Sequence, residues 1–181
     1  MRCGLNRFRA DQRGVVAIEF ALLAVPFFFV LFASIETAIV MGAGVVLDNA
    51  VDDAARLVLT GQTQTADITA DKFKQTMCDS ISIMMSCSRL KVDMRTFATF
   101  DAIPGDVPSK LGNVDDTGFC FDPGAQDNIT VVRAFYEWPW VTGLLQRATS
   151  TTNGQAVLFS MAAFMNEPFG TKVSTKSTCK S

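Results

Sequence analysis

Two sets of side chains in this sequence could do chemistry. The first is Glu19, the only charged residue between Val15 and Ser34. A carboxylate within an apolar run is costly in lipid, so it either snorkels to the headgroups from a shallow position or meets a partner. The second set is Cys78, Cys87, Cys120 and Cys179, four of the five cysteines, all beyond the apolar run. In an oxidising compartment such cysteines form disulfides, and four of them allow three pairings. Closeness in sequence favours Cys78 with Cys87, which leaves Cys120 with Cys179. Cys3, in the short stub ahead of the run, is left unpaired.

Other chemistry is poorly served. The chain has no histidine, which rules out a Ser-His-Asp triad and a histidine-paired cysteine nucleophile. No G-x-S-x-G or S-x-x-K motif supports an alternative, so the expectation is a protein that is not an enzyme and needs no cofactor. Zinc lacks a short C-x-x-C spacing as well as histidine. The acids of one long loop (Asp101, Asp106, Asp115, Asp116, Asp122 and Asp127) match no calcium-binding spacing and read as solvated turn residues, so no metal site is expected. Trp138 and Trp140 flank Pro139 in "YEWPWV" and read as aromatics packed onto the domain's own core.

The elements that must position these groups begin with the stub. Arg2, Arg7, Arg9 and Arg13 precede the apolar run and only Asp11 opposes them, the pattern that holds an N-terminus in the cytoplasm and sends the rest of the chain across the membrane. Elsewhere acids outnumber bases, so there is no nucleic-acid footprint. Val15 to Ser34, at about 1.5 Å per helical residue, reaches roughly 30 Å and spans a bilayer core. The run is too long for a cleavable secretory signal, so the anchor is retained.

Beyond Glu36, read as an interfacial residue at the outer edge of the span, Ile39, Val40, Val46, Ala50, Ala54, Leu57 and Val58 recur at roughly helical spacing, with Asp48, Asp52, Asp53 and Arg56 on the other face. One helix over 15–60 is expected, capped by Gly61. "QTQTADIT" reads as a polar linker. A second helix comes next, capped by Asp67 or Thr69, with Phe73, Met77, Ile81 and Met84 on one face and an end near Ser86.

Leu90 to Phe100, Ile129 to Val141 and Gln155 to Asn166 read as strands. In the first, Leu90, Val92 and Met94 alternate with Lys91, Asp93 and Arg95, which suggests a sheet with one wet face. "VLFSMAAFMNEPF" in the last reads as buried packing. Between the first two strands lies a long Gly/Pro/Asp-rich loop with Cys120 as its candidate tie. "TGLLQRATSTTNG" is expected to hold a short helical turn. The fold class is therefore α+β: a leader over 1–14, a transmembrane and amphipathic helix over 15–60, and a domain over 61–181 with one helix and about three antiparallel strands.

Gly14 after a basic stub, a small and aliphatic run, Glu19 five positions on, then Phe20 and a long helix: this arrangement resembles the class III signal of type IV prepilins. The resemblance implies cleavage by a membrane prepilin peptidase between Gly14 and Val15, making Glu19 the fifth residue of the mature chain. The new amine at Val15 and the carboxylate at Glu19 would each be neutralised by the other group on a neighbouring subunit. Pro26 removes one helical hydrogen bond inside the span and loosens or kinks it there. "RGVVAIEFALLAVPFFFVLFASIE", "AARLVLTGQ", the Cys78 and Cys87 pair, "FYEW" and "FMNEPF" together resemble the TadE-like pseudopilins of the tight-adherence (Flp, type IVb) pilus system. Phe20 stands where major Flp pilins usually have tyrosine, and the exported domain is larger than theirs. The resemblance thus implies a minor pilin or pseudopilin in the bacterial inner membrane, facing the periplasm. Its implied partners are other pilins and inner-membrane pilus assembly proteins. Two rivals are a single-pass periplasmic binding or sensing module that is not processed, and a pseudopilin of a type II secretion apparatus.

Overall fold

Helix α1 runs Val15–Leu59, 45 residues with Pro26 inside it, in a computed structural model that describes residues 15–110, 113–139, 156–169 and 177–179. Gly14, Cys3, Trp140 and the turn expected over 142–154 lie outside the described residues. The chain divides into two compact units, Met1–Ile39 and Val40–Ser181, and α1 contributes to both.

In the first unit the helix is long and apolar enough to cross a membrane, and none of its most apolar window is buried. Its hydroxyls are satisfied locally: Ser34 Oγ donates to Val30 O at 2.8 Å and Thr37 Oγ1 to Ala33 O at 2.9 Å. Such back-bonding leaves neither hydroxyl seeking water from an apolar stretch. Glu36 is buried, 8% exposed, where the sequence suggested an interfacial side chain.

In the second unit α1 buries Ala43, Leu47, Ala50, Val51, Ala54 and Val58, a stripe with steps of three and four that follows the helical repeat. Gly61, at φ 74°, ends the helix as expected from its freedom to adopt a left-handed conformation. The "polar linker" is in part a one-turn helix, α2 (Gln62–Thr65), with Thr63 and Gln64 buried. Thr69 caps α3 (Ala70–Ile81), accepting from Lys72 N–H. α3 stops at Ile81 rather than near Ser86. The following turn bonds Met85 N–H to Ile81 O at 3.0 Å, so Met85 enters the core and Met84 remains exposed.

Strands β1 (Leu90–Phe97), β4 (Ile129–Trp138) and β5 (Ala156–Met165) form an antiparallel sheet in the order β1-β4-β5. A two-residue ladder, β2 (Ser109–Lys110) with β3 (Asn113–Val114), lies in the long loop. β1 ends at Phe97, three residues short of the expected end, and the chain passes into a short 3-10 turn at Phe100–Ala102. One face of the sheet presents Leu90, Met94, Val132, Ala134 and Tyr136 to the buried stripes of α1 and α3 in a single core. Each fully buried aliphatic side chain there contributes about 1.5–3 kcal/mol. Trp138 packs at the margin of this core, its ring 6.2 Å from that of Tyr136.

The second face departs from the sequence reading. Asp93 is fully buried, not wet, because the long loop folds back over β1. On β5 the reverse holds: Met161 and Met165 are 40% and 51% exposed, not buried, since they lie on an edge strand and point to the face away from the helices.

Candidate functional site

Val15, Glu19 and Pro26 lie on α1, and all three are exposed. At 3.6 residues per turn, Val15 and Glu19 are separated by one turn and Glu19 and Pro26 by nearly two, so the three share one side of the helix. Pro26 has no N–H to offer, which frees the carbonyl of Leu22 from the helical ladder on that side. Large apolar side chains surround the carboxylate, among them Phe20, Leu22 and Leu23. Further along, the Phe28 ring sits 5.5 Å from that of Phe27 and 6.2 Å from that of Phe32. The surface can bury apolar area against another helix and accept one cation or proton donor at Glu19.

Cys78, Cys87, Cys120 and Cys179 are joined as Cys78–Cys87 and Cys120–Cys179. The first bond ties the last turn of α3 to the turn before β1. The second holds the chain's last described residues against the edge of β1, where Thr178 N–H donates to Phe121 O at 2.8 Å and Phe121 N–H to Thr178 Oγ1 at 2.8 Å.

Two polar clusters escaped the sequence reading. Asp93 faces Arg133 directly across the β1/β4 ladder. Its carboxylate accepts from Arg133 Nη2 at 2.6 Å and Nε at 3.1 Å, from Arg95 Nε at 2.9 Å, and from Cys120 N–H at 2.9 Å. The signal was Arg133, a lone cation in the otherwise apolar "ITVVRAF", which in a central strand needs a buried anion. The second cluster unites "LTGQ" and "FMNEPF". Gln64 Nε2 and Asn166 Nδ2 both donate to Pro123 O, at 2.8 and 2.9 Å, Glu167 N–H donates to Leu59 O at 3.0 Å, and Phe169 packs over Gly61.

A cleft of about 470 Å³ opens beside Arg95, Thr96, Phe119 and Asp122. Its charges are already committed: Arg95 to Asp93 and to Gly118 O, Asp122 to Thr96 Oγ1 and Gly124 N–H. Among the described residues no group of three or more Asp, Glu or Cys could hold a metal ion.

The helix that is long and apolar enough to cross a membrane, with Glu19 exposed on it, runs on as the core helix of a disulfide-bonded α+β unit. Residues 14–56 match the family model of TadE-like proteins, in agreement with the resemblance read from "RGVVAIEFALLAVPF". No curated protein matches the chain, and no solved structure does.

Proposed function

We propose that this protein is a minor pilin or pseudopilin that takes part in assembling a tight-adherence type IVb pilus. A prepilin peptidase removes residues 1–14, and α1 then serves both as anchor and as the surface that packs against other pilins. The observation that carries this reading is Glu19 on an exposed apolar helix, within a TadE-like match that begins at Gly14. Cleavage after Gly14 creates an amine on Val15, one helical turn from Glu19 on the same side. On packed neighbouring helices each charge neutralises the other, and that requirement sets the register of packing. Polar pairing fixes register while apolar area supplies the affinity.

The arginine-rich stub holds the N-terminus in the cytoplasm, and the two disulfides suit a periplasmic domain. The role proposed for the chain is structural, and no catalytic step is part of it.

The test is the mass of the unreduced protein extracted from membranes of cells with and without their prepilin peptidase. The expected product begins at Val15 only when the peptidase is present. A chain that keeps Met1 in both strains overturns processing and favours an anchored periplasmic binding module.

A further inference from the structure

The turn between α3 and β1 holds one apolar side chain in the open. Ile81 and Met85, on either side of it, are buried in the core, and the N–H groups of Met84 and Met85 both donate to Ile81 O, at 3.1 and 3.0 Å. The Cys78–Cys87 disulfide closes the turn at its base, and Ser86 N–H donates to the Tyr136 hydroxyl at 3.0 Å. Between these ties Ile83 is 91% exposed. The surrounding segment "SISIMMSCS", Ser80 to Ser88, carries no charge.

A single exposed isoleucine is ordinary, but a gathered set of exposed apolar side chains marks a surface that meets something. Met84, also exposed, reaches back to α1: its Cε lies 3.8 Å from the place a Cβ on Gly42 would take. Met41 and Val45, next to Gly42 on the helix surface, are exposed as well. The set lies at the end of the Val40–Ser181 unit where α1 enters it. Along α1 the exposed apolar surface begins earlier, with Ile35 and Ile39, and no charge stands between Glu36, which is buried, and Asp48. From Val15 to Gly42 the helix rises about 40 Å, and a bilayer with its headgroups is about 40–45 Å thick. With Val15 at the cytoplasmic boundary, Gly42 comes level with the outer headgroups.

We propose that the turn over Ser82 to Ser86 is a second membrane contact, with Ile83 and Met84 dipping into the outer leaflet where headgroups meet acyl chains. Lipid is the occupant because the patch continues the surface of the segment that is long and apolar enough to cross the bilayer, at the depth where exposed apolar tips backed by polar groups are buried. Ser82 and Ser86, both exposed, supply hydroxyls at headgroup level. The contact rests on the reading of α1 as a membrane span and is independent of cleavage at Gly14 and of any pairing at Glu19.

The test uses the full chain in phosphatidylcholine vesicles whose lipids are brominated either near the headgroup or deep in the acyl chain, because bromine quenches tryptophan only at contact. Ile83→Trp and Leu23→Trp are each compared with the parent chain, so that the native tryptophans cancel. The emission added by Ile83→Trp is expected to fall at least about twofold with shallow bromine and less with deep bromine, the pattern of a side chain buried in the interface. That added by Leu23→Trp is expected to fall most with deep bromine. Quenching of Leu23→Trp without quenching of Ile83→Trp overturns the contact and leaves the span standing. Quenching of neither overturns the span and the contact with it. Stronger quenching of Ile83→Trp by deep than by shallow bromine overturns the interfacial depth, and a blue-shifted emission without quenching overturns lipid as occupant in favour of protein. If Ile83→Trp melts below the parent, Met84→Trp decides by the same readings.

Discussion

Over Val15–Ile39, helix α1 leaves Val16, Leu23, Val25 and Val30 largely exposed, while over Val40–Leu59 it buries Leu47, Val51, Ala54 and Val58 almost completely. Both halves are α-helical, so the difference lies in what each apolar surface meets. The distal half has its partners in its own chain and therefore contributes to folding. The proximal half is largely apolar and, Glu36 apart, mostly exposed; under the proposed function its partners are lipid or other helices. One substitution placed in each half separates the two roles. Val51→Asp buries an unpaired carboxylate and should destabilise the domain by more than about 4 kcal/mol, seen as loss of cooperative thermal unfolding. Leu23→Asp should leave the domain's melting unchanged and instead weaken membrane insertion, by about 3 kcal/mol at a central position. Equal thermal destabilisation by both would erase the distinction.

The same contrast can be sharpened at the sheet, whose two faces are held by different means. Asp93→Ala leaves Arg133 buried without its anion, and a loss of about 3–5 kcal/mol is expected in denaturant unfolding. Asp93→Leu combined with Arg133→Met should recover most of that loss, because an apolar pair of similar volume removes the stranded charge. A double variant as unstable as the single one would show that Asp93 acts through Cys120 N–H and the loop, not through Arg133. A smaller effect, about 2 kcal/mol, is expected for Gly61→Ala, which forces a Cβ into the left-handed region and against the Phe169 ring.

These sites also mark where the sequence could and could not be read. The long helix, the Gly61 stop, a cap at Asp67 or Thr69 (the structure uses Thr69) and the three strands were legible because hydrophobic periodicity, capping residues and glycine act locally. Asp93 was not, because alternation along β1 reports that a face is polar, not whether a loop from residues 98–128 will fold back to cover it. The exposure of Met161 was missed for the converse reason: composition marks a strand as apolar but not as an edge. Gln64 and Asn166 are held together by a shared carbonyl, Pro123 O, and no local pattern announces a contact that long in sequence. At the proximal helix the reading went further than the fold alone allows, since Glu19 acquires its meaning from its distance to Gly14.

Glu19→Ala is the subtlest of these variants in the isolated chain and the most informative about the proximal half. Glu19 is exposed and lies in the Met1–Ile39 unit, so its removal should shift the melting of the Val40–Ser181 unit by less than about 0.5 kcal/mol. Membrane insertion should be intact or slightly improved, because a carboxylate has left an apolar span. Co-purification with other pilins from detergent extracts should nevertheless fall about tenfold, the equivalent of one charge-assisted contact of ~1.4 kcal/mol. Glu19→Gln refines the point: it keeps the length and a hydrogen-bonding oxygen but not the charge, so recovery of association would assign the contact to hydrogen bonding and continued loss would assign it to the ion pair. Association that is unchanged in both variants would leave the proximal half as an anchor and nothing more.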